Sequence, residues 1–415
     1  MTGVRSPAAD GLELVGGRVF DPGSTLDSLA TVSIDGGLLT GIREAADRQH
    51  ASACPEPRGI PEGRPPGLAP RRTVDVTGML VTPGLVDLHT HLYPGVSHYG
   101  IEPDEHCLGR GVTTAIDAGS AGASTFAGLR RYVIERSETR ILAFLNIAVQ
   151  GMITSLVGEL EDIRWASPEQ AVARARENPD LVMGIKVRLG YQMAGGDPQP
   201  ALRLAREAAN ELGLPLMVHV IDMRPGLAWL LPRLRRGDVV THCFHGSDGG
   251  ILEPGGRVLP EAIRARERGV LFDVGHGVGS FAYRVARPAI VQGFPPDTVS
   301  SDLHAHNAAG PVFDLATTLS KLLHVGMGLD DLIRAATSTP ARAIGRAASI
   351  GALRPGRDAD LSVFELRTGH WALPDAAGDI EVIERLLVPR LVVRGGQVRD
   401  VRPPAAGLRA ARAVL

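Results

Sequence analysis

The run Val81-Thr82-Pro83-Gly84-Leu85-Val86-Asp87-Leu88-His89-Thr90-His91 decides how the rest of this chain is read. Gly84 to Leu88 is short and apolar, the signature expected of a buried strand. Side chains alternate faces along a strand, so His89 and His91 point the same way. Two imidazoles on one face at a strand's end can grip one metal ion. A pair of solvated or hydrogen-bonded histidines also satisfies the pattern, so the decision rests on the surrounding chain.

Outward from this run, strand and helix signals alternate. Short apolar strands are expected at 84–88, 112–117, 141–149, 182–187, 216–220, 239–243, 270–274 and 298–301. Helices are expected between and after them, at 124–136, 168–177, 201–212, after Pro225, 261–268, 281–289, 313–323, 329–336 and 340–344. Eight strands separated by helices predict an α/β fold, a (β/α)8 TIM barrel. An open doubly wound sheet is the rival, but no GxGxxG follows the first strand, so a dinucleotide site is unsupported.

Both ends of the chain turn to β signals. Strands are expected at 12–15, 18–20, 29–34, 38–42 and 73–76, with Gly-Gly pairs at 16–17 and 36–37 as turns. Others are expected at 361–366, 390–393 and 396–398. They are read as one small flanking β-sandwich domain built from both termini, its pieces spanning 1–80 and 347–415 around a barrel at 81–346. The Pro-, Gly- and Arg-rich stretch 47–72 reads as an irregular, mobile loop, and 403–415 as a loose helix or frayed tail.

Composition narrows the function classes. A net charge of −2 over 415 residues offers nothing to nucleic acid or an anionic membrane. The expected partner is a small-molecule substrate, with a homo-oligomer left open. Cys54, Cys107 and Cys243 form no disulfide framework, no signal-peptide-like or membrane-spanning stretch is evident, and a cytoplasmic location is expected. Cys243 alternates away from His242 and reads as a packing residue; Cys54 and Cys107 receive no role. Only two of the 44 basic residues are lysine, Lys186 and Lys321.

In barrels of this type chemistry collects at the C-terminal ends of the strands. The first expected strand ends in His89 and His91, the fourth in Lys186 and Arg188, and the fifth in His219. The sixth ends in His242 with His245 close by, the seventh in His276, and the eighth in Asp302, followed by His304 and His306. Eight of the 13 histidines fall at or beside these ends, which scattered surface histidines explain poorly. Lys186 sits in the apolar run Val182-Met-Gly-Ile-Lys-Val187 of a chain that otherwise uses arginine. A buried lysine has its pKa lowered, whereas a guanidinium stays protonated. Its free amine can react with CO2 to give an anionic carbamate, able to bridge two metals.

This combination resembles the amidohydrolase superfamily of metal-dependent hydrolases. The resemblance is carried by the HxH of Pro83–His91, by Lys186, His219, His242 and Asp302, and by the split sheet domain, over about Leu12 to Val398. Gly111-Val-Thr-Thr-Ala-Ile-Asp-Ala-Gly119, Gly184-Ile-Lys-Val-Arg188, Asp238-Val-Val-Thr-His-Cys-Phe244, Asp273-Val-Gly-His-Gly277 and Ser301-Asp-Leu-His304 are similar to its dihydroorotase-like deacetylase group. The resemblance implies two divalent metal ions, zinc being the expected metal. His89 and His91 with Asp302 would hold the first, His219 and His242 the second, and carboxylated Lys186 would bridge both.

The expected chemistry is hydrolysis of an ester or amide by a hydroxide shared between the two metals, with Asp302 as general base and acid. The substrate would be a small carboxylate-bearing molecule, such as an acylated 2-hydroxy acid or an N-acyl amino acid; a dihydroorotase or other cyclic-amide hydrolase is the alternative. A barrel serving only as a scaffold is disfavoured, because every expected ligand is present. Arg188 would meet the carboxylate or stand as a solvated rim residue. His276 would bond substrate or oxyanion, or instead orient a ligand. His304 is a further candidate for substrate contact, and His245 is left unassigned.

Overall fold

A computed structural model describes residues 11–45 and 71–402. Cys54, positions 46–70 of the Pro-rich stretch and the tail 403–415 lie outside the described residues.

The strands divide into two sheets. The mixed sheet takes β1 (Leu12–Asp21), β2 (Leu26–Asp35), β3 (Leu38–Glu44), β4 (Arg72–Asp75) and β5 (Leu80–Pro83) from the N-terminal part. The parallel sheet follows, with β6 (Leu85–Thr90), β7 (Val112–Gly122), β8 (Arg140–Asn146), β9 (Val182–Arg188), β10 (Leu216–His219), β11 (Val239–Thr241) and β12 (Leu271–Asp273). The chain then returns to the mixed sheet with β13 (Leu361–Pro374), β14 (Ile380–Arg394) and β15 (Gln397–Arg399).

The parallel strands pair strictly in chain order, β6 to β12. β6, β7 and β9 are buried along their whole length. Such continuous burial belongs to parallel strands covered on both faces. The two faces differ. Leu216 and Val218 of β10 join the large cluster that holds helix residues Ala201 and Ala205, while Met217 joins Val86, Phe144 and Val239 in a smaller one. The helix Pro168–Glu177 forms where expected: Ser167 accepts a bond from the Gln170 N–H and Pro168 occupies the first turn.

The expected eighth strand is not a regular strand. Residues 298–303 make one parallel bridge to β12 (Asp273–Thr298) and one to β6 (Thr90–Leu303). Val274 and His276 donate backbone bonds to Thr298 and Ser300, while Asp302 N–H donates to the His89 carbonyl at 2.7 Å. The backbone turns out of the extended region at Asp302, whose φ is +49°. A non-glycine residue there costs about 1–3 kcal/mol and persists only when its surroundings hold it.

The terminal strands differ from expectation in two ways. They form one continuous hydrogen-bonded sheet, ordered β15-β14-β13-β5-β1-β2-β3 with β4 on β1, rather than two separately paired sheets. The β5–β13 antiparallel pair stitches the N- and C-terminal pieces together. The C-terminal strands are also far longer than 361–366 and 390–393. β13 and β14 form a hairpin whose far end packs Trp371, Leu373, Ile383, Leu386 and Val388 with Phe313. The helix Leu315–His324 is buried from Leu315 to Leu323, and the Leu387 N–H donates to its Ser320 hydroxyl at 2.9 Å. Among the described residues, no helix is long and apolar enough to cross a membrane.

Candidate active site

β6 delivers His89 and the residue after the strand His91, β9 Lys186 and Arg188, β10 His219, and the residue after β11 His242. Asp302 arrives from the bridging segment. All of them are buried, Asp302 and His219 the least at 8% exposed each. The four imidazoles form a chain: ring centroids are 5.4 Å apart for His91–His89, 5.0 Å for His89–His242 and 4.5 Å for His242–His219. Asp302 Oδ1 lies 3.3 Å from His89 Nε2 and 3.1 Å from His91 Nε2. Ligand atoms of His89, His242 and Asp302 fall within 4.8 Å of one another.

Hydrogen bonds fix which ring nitrogens face inward. His242 Nδ1 lies 2.8 Å from the Gly275 carbonyl, which can only accept. Nδ1 therefore carries the hydrogen and Nε2 a bare lone pair. That Nε2 is buried without a hydrogen-bond partner, as is His219 Nε2. His89 Nδ1 lies 2.8 Å from the Thr241 hydroxyl, whose own hydrogen goes to Asp273 Oδ2 at 2.8 Å. Thr298 and Ser300 also donate to Asp273, so this carboxylate orders the hydroxyl and, through it, the imidazole. His89 Nδ1 is thus the donor and Nε2 the acceptor, facing Lys186 Nζ. His91 Nδ1 pairs with the Ser120 hydroxyl at 3.0 Å. Burial holds His91 and His242 down to about 3, and His89 and His219 well below the usual range, so all four are neutral at neutral pH, the form in which an imidazole can ligate a metal. Imidazole nitrogens converging in a buried space, with the outer nitrogens of His89, His91 and His242 held by partners, are a donor set that fits a divalent cation.

Lys186 Nζ stands 3.2 Å from His89 Nε2 and 3.5 Å from Met217 Sδ. Burial lowers its amine to about 7, which makes the neutral form accessible. Its stem passes over Gly119, whose φ is +92°; a Cβ there would come within 2.8 Å of Lys186 Cγ, so only glycine fits without displacing the stem.

A cavity of about 180 Å³ opens over His89, His91, Lys186, His219 and Asp302, with Arg188 and His304 also on its wall. Met152, Met193, Ile221 and Val278 give it an apolar side. Tyr99, which carries no sequence signal, stands 4.4 Å from the His304 ring and 5.2 Å from His91, with the Arg188 guanidinium 5.8 Å above it. Arg188 is buried rather than on a solvated rim, and its Nε is 3.5 Å from Glu159, another residue the sequence did not single out. His245 is buried but is not among the cavity's lining residues, and Cys243 is buried.

His276 is placed elsewhere. Its Nδ1 is 3.0 Å from the Gly277 carbonyl, its Nε2 is 2.9 Å from Lys321 Nζ, and its ring stacks on Phe281 at 4.8 Å. It does not line the cavity, so the expected contact with substrate or oxyanion has no geometric support. The flanking Gly275 and Gly277, with φ of +47° and +53°, turn the backbone so that strand alternation no longer tells where residue 276 points.

A model of the amidohydrolase family matches residues 283–399. A protein named deacetylase from Agrobacterium fabrum is 38% identical over 330 residues, covering 79% of this chain and 81% of that protein. A deacetylase from Brucella anthropi is also 38% identical, covering 78% and 81%. Among solved structures, one titled as a dihydroorotase is 32% identical with a TM-score of 0.82, covering 96% of this chain and 100% of that one. One titled as an adenine deaminase is 29% identical with a TM-score of 0.82, covering 94% and 99%. Ligand-type residues converging on one buried cavity, and relatives similar over most of the chain, lead to one assignment: the chain is a hydrolytic enzyme belonging to the amidohydrolase superfamily.

Proposed function

We propose that this enzyme is a binuclear metal-dependent hydrolase that removes an acyl group from a small carboxylate-bearing substrate, an acylated 2-hydroxy acid or an N-acyl amino acid. The observation that carries this reading is the set of inward Nε2 lone pairs around Lys186 and Asp302, with the tautomers of His89 and His242 fixed from outside. His89, His91 and Asp302 would hold one metal, His219 and His242 the other, and carboxylated Lys186 would join them. We take the parallel sheet as a (β/α)8 barrel closed by residues 298–303, which its bridges to β6 and β12 support. Bound metal, zinc by its affinity for imidazole, would supply the Lewis acidity that makes water a nucleophile at neutral pH and polarises a carbonyl.

The chain's own residues supply the rest. Asp302, at the cavity floor, takes the proton from the attacking water and returns it to the leaving group. Its strained backbone is held by the Asn307 amide on its carbonyl, by the bond to His89 and by Asp87, which takes the Ser301 N–H and hydroxyl. Arg188 meets the substrate carboxylate, with Glu159 occupying its Nε side. Tyr99 and His304 close over that edge, and the apolar wall excludes water. His276 makes no substrate contact.

The relatives named deacetylase support acyl transfer to water, and the structure titled as a dihydroorotase makes dihydroorotate the comparison substrate. The test is a screen of N-acyl amino acids, acylated 2-hydroxy acids and dihydroorotate with zinc and bicarbonate, alongside metal analysis. Two metals per chain and turnover of an acyl carboxylate are expected; turnover of dihydroorotate alone would replace the reading. Asp302→Asn should lower kcat about 10²–10⁴-fold. Near-normal turnover by that variant rules Asp302 out as the proton shuttle.

A further inference from the structure

Lys321 is the second of two lysines among 44 basic residues, and metal binding does not account for it. It is fully buried on the helix Leu315–His324. Its Nζ is 2.9 Å from His276 Nε2, 2.7 Å from the Pro311 carbonyl and 2.7 Å from the Pro374 carbonyl. The Gly277 carbonyl next to His276 Nδ1 can only accept, so Nδ1 holds the hydrogen and Nε2 is an acceptor. Three acceptors therefore surround the amine. An ammonium has three N–H donors and satisfies all of them; a guanidinium is larger, planar and cannot converge on one point.

The three acceptors belong to three separate segments. Pro311 follows the bridging segment that carries Asp302 and His304. Pro374 ends β13, at the far end of the C-terminal hairpin. His276 opens the loop in which Val278, Gly279 and Ser280 line the cavity. Gly277 in the same loop packs on Asp302 so closely that a Cβ would lie 2.4 Å from Oδ2. The hairpin grips this region at further points: Ala376 N–H donates to the Phe281 carbonyl at 2.9 Å, and the Tyr283 N–H to Asp375 at 2.9 Å.

We propose that Lys321 is a positioning residue: acting through His276, it pins the cavity wall at 276–280 and the support of Asp302 to the C-terminal hairpin, making the flanking sheet a part of the active site. The proposal rests on the hydrolase reading only in taking this cavity as the substrate's. It predicts that the loop needs an acceptor at position 276 but no imidazole acid–base chemistry there.

Three variants test it, read by amide hydrogen exchange of peptides spanning 274–282 in metal-free and metal-loaded protein, and by kcat and KM. Lys321→Met and His276→Phe each remove the tether. Both should exchange faster in that loop and lose about tenfold to 100-fold in kcat, as small displacements of a reacting group do, while binding metal at wild-type stoichiometry. His276→Gln, whose amide oxygen still accepts from Lys321, should stay within about threefold of wild type, as its tether is kept. Should Lys321→Met not fold, the His276 pair decides. Wild-type exchange and kcat in His276→Phe overturn the proposal, and so does a loss in His276→Gln equal to that in His276→Phe. The exchange readout in metal-free protein needs no substrate, so it speaks even if the deacylation reading is wrong.

Discussion

The chain's two lysines make a controlled comparison. Both are completely buried, and burial pulls both amines down to about 7. Their neighbours differ. Lys321 meets three acceptors placed to receive an ammonium's three hydrogens, while carboxylates favour the charge of both amines, Asp375 and Asp314 at Lys321 and Asp302, Asp273 and Glu159 at Lys186. Lys186 meets one imidazole nitrogen and a thioether sulfur at longer range. The same desolvation thus has two outcomes. Where acceptors saturate the amine we read it as a structural pin; where they do not, the oxygens of the proposed carbamate would supply what the site lacks. Burial alone marks neither role; the partners decide.

The strongest way to break this comparison is at Lys186. Lys186→Ala should lose bound metal and about 10³-fold in hydrolysis, the upper scale for removing one preorganised electrostatic group, with partial rescue by added short carboxylates. Two tightly bound metals and full activity without rescue would sink the bridging role. Labelled bicarbonate sharpens the same point: a carbamate carbon resonance should persist in Lys321→Met and vanish in Lys186→Ala.

A smaller effect is expected one bond outside the proposed metal centre. Thr241→Val removes the hydroxyl that relays Asp273 to His89, leaving His89 Nδ1 without a partner. Metal affinity should fall about 10–100-fold, measured by competition with a chelator. Unchanged affinity would mean that β6 alone orients the ring. Smaller again is Arg188→Lys, which keeps the charge but loses the fork: KM should rise about tenfold with kcat little changed. A drop in kcat at constant KM would place Arg188 in the reaction rather than in carboxylate binding.

Much of the site was legible because the parallel strands are short, apolar and buried on both faces. Their ends stand out as polar residues at the close of a mainly apolar run, as at His89, Lys186 and His219. Lys186 was singled out further because arginine replaces lysine almost everywhere else. The long hairpin was not legible. Beyond Phe364 its strands mix buried, half-buried and exposed residues, and Glu365, Arg367, Glu381, Glu384 and Arg385 give it the look of a polar linker. Tyr99 and Glu159 sit in loops, where no periodicity announces a role. The direction of His276 was not legible, because glycines of positive φ on both sides cancel the strand alternation that would set it.

The sequence by itself determined which residues stand at the strand ends, since hydrophobic period and strand length are local properties that one chain displays without its neighbours. Only the tertiary structure decided which of those residues face one another. The tautomers of His89 and His242 depend on Thr241 and Gly275, the posture of Asp302 on Asp87 and Asn307, and the roles of the two lysines on which acceptors distant segments bring to each amine. Most of those contacts join positions far apart in the chain, and hydrogen-bond geometry has no signature in local composition.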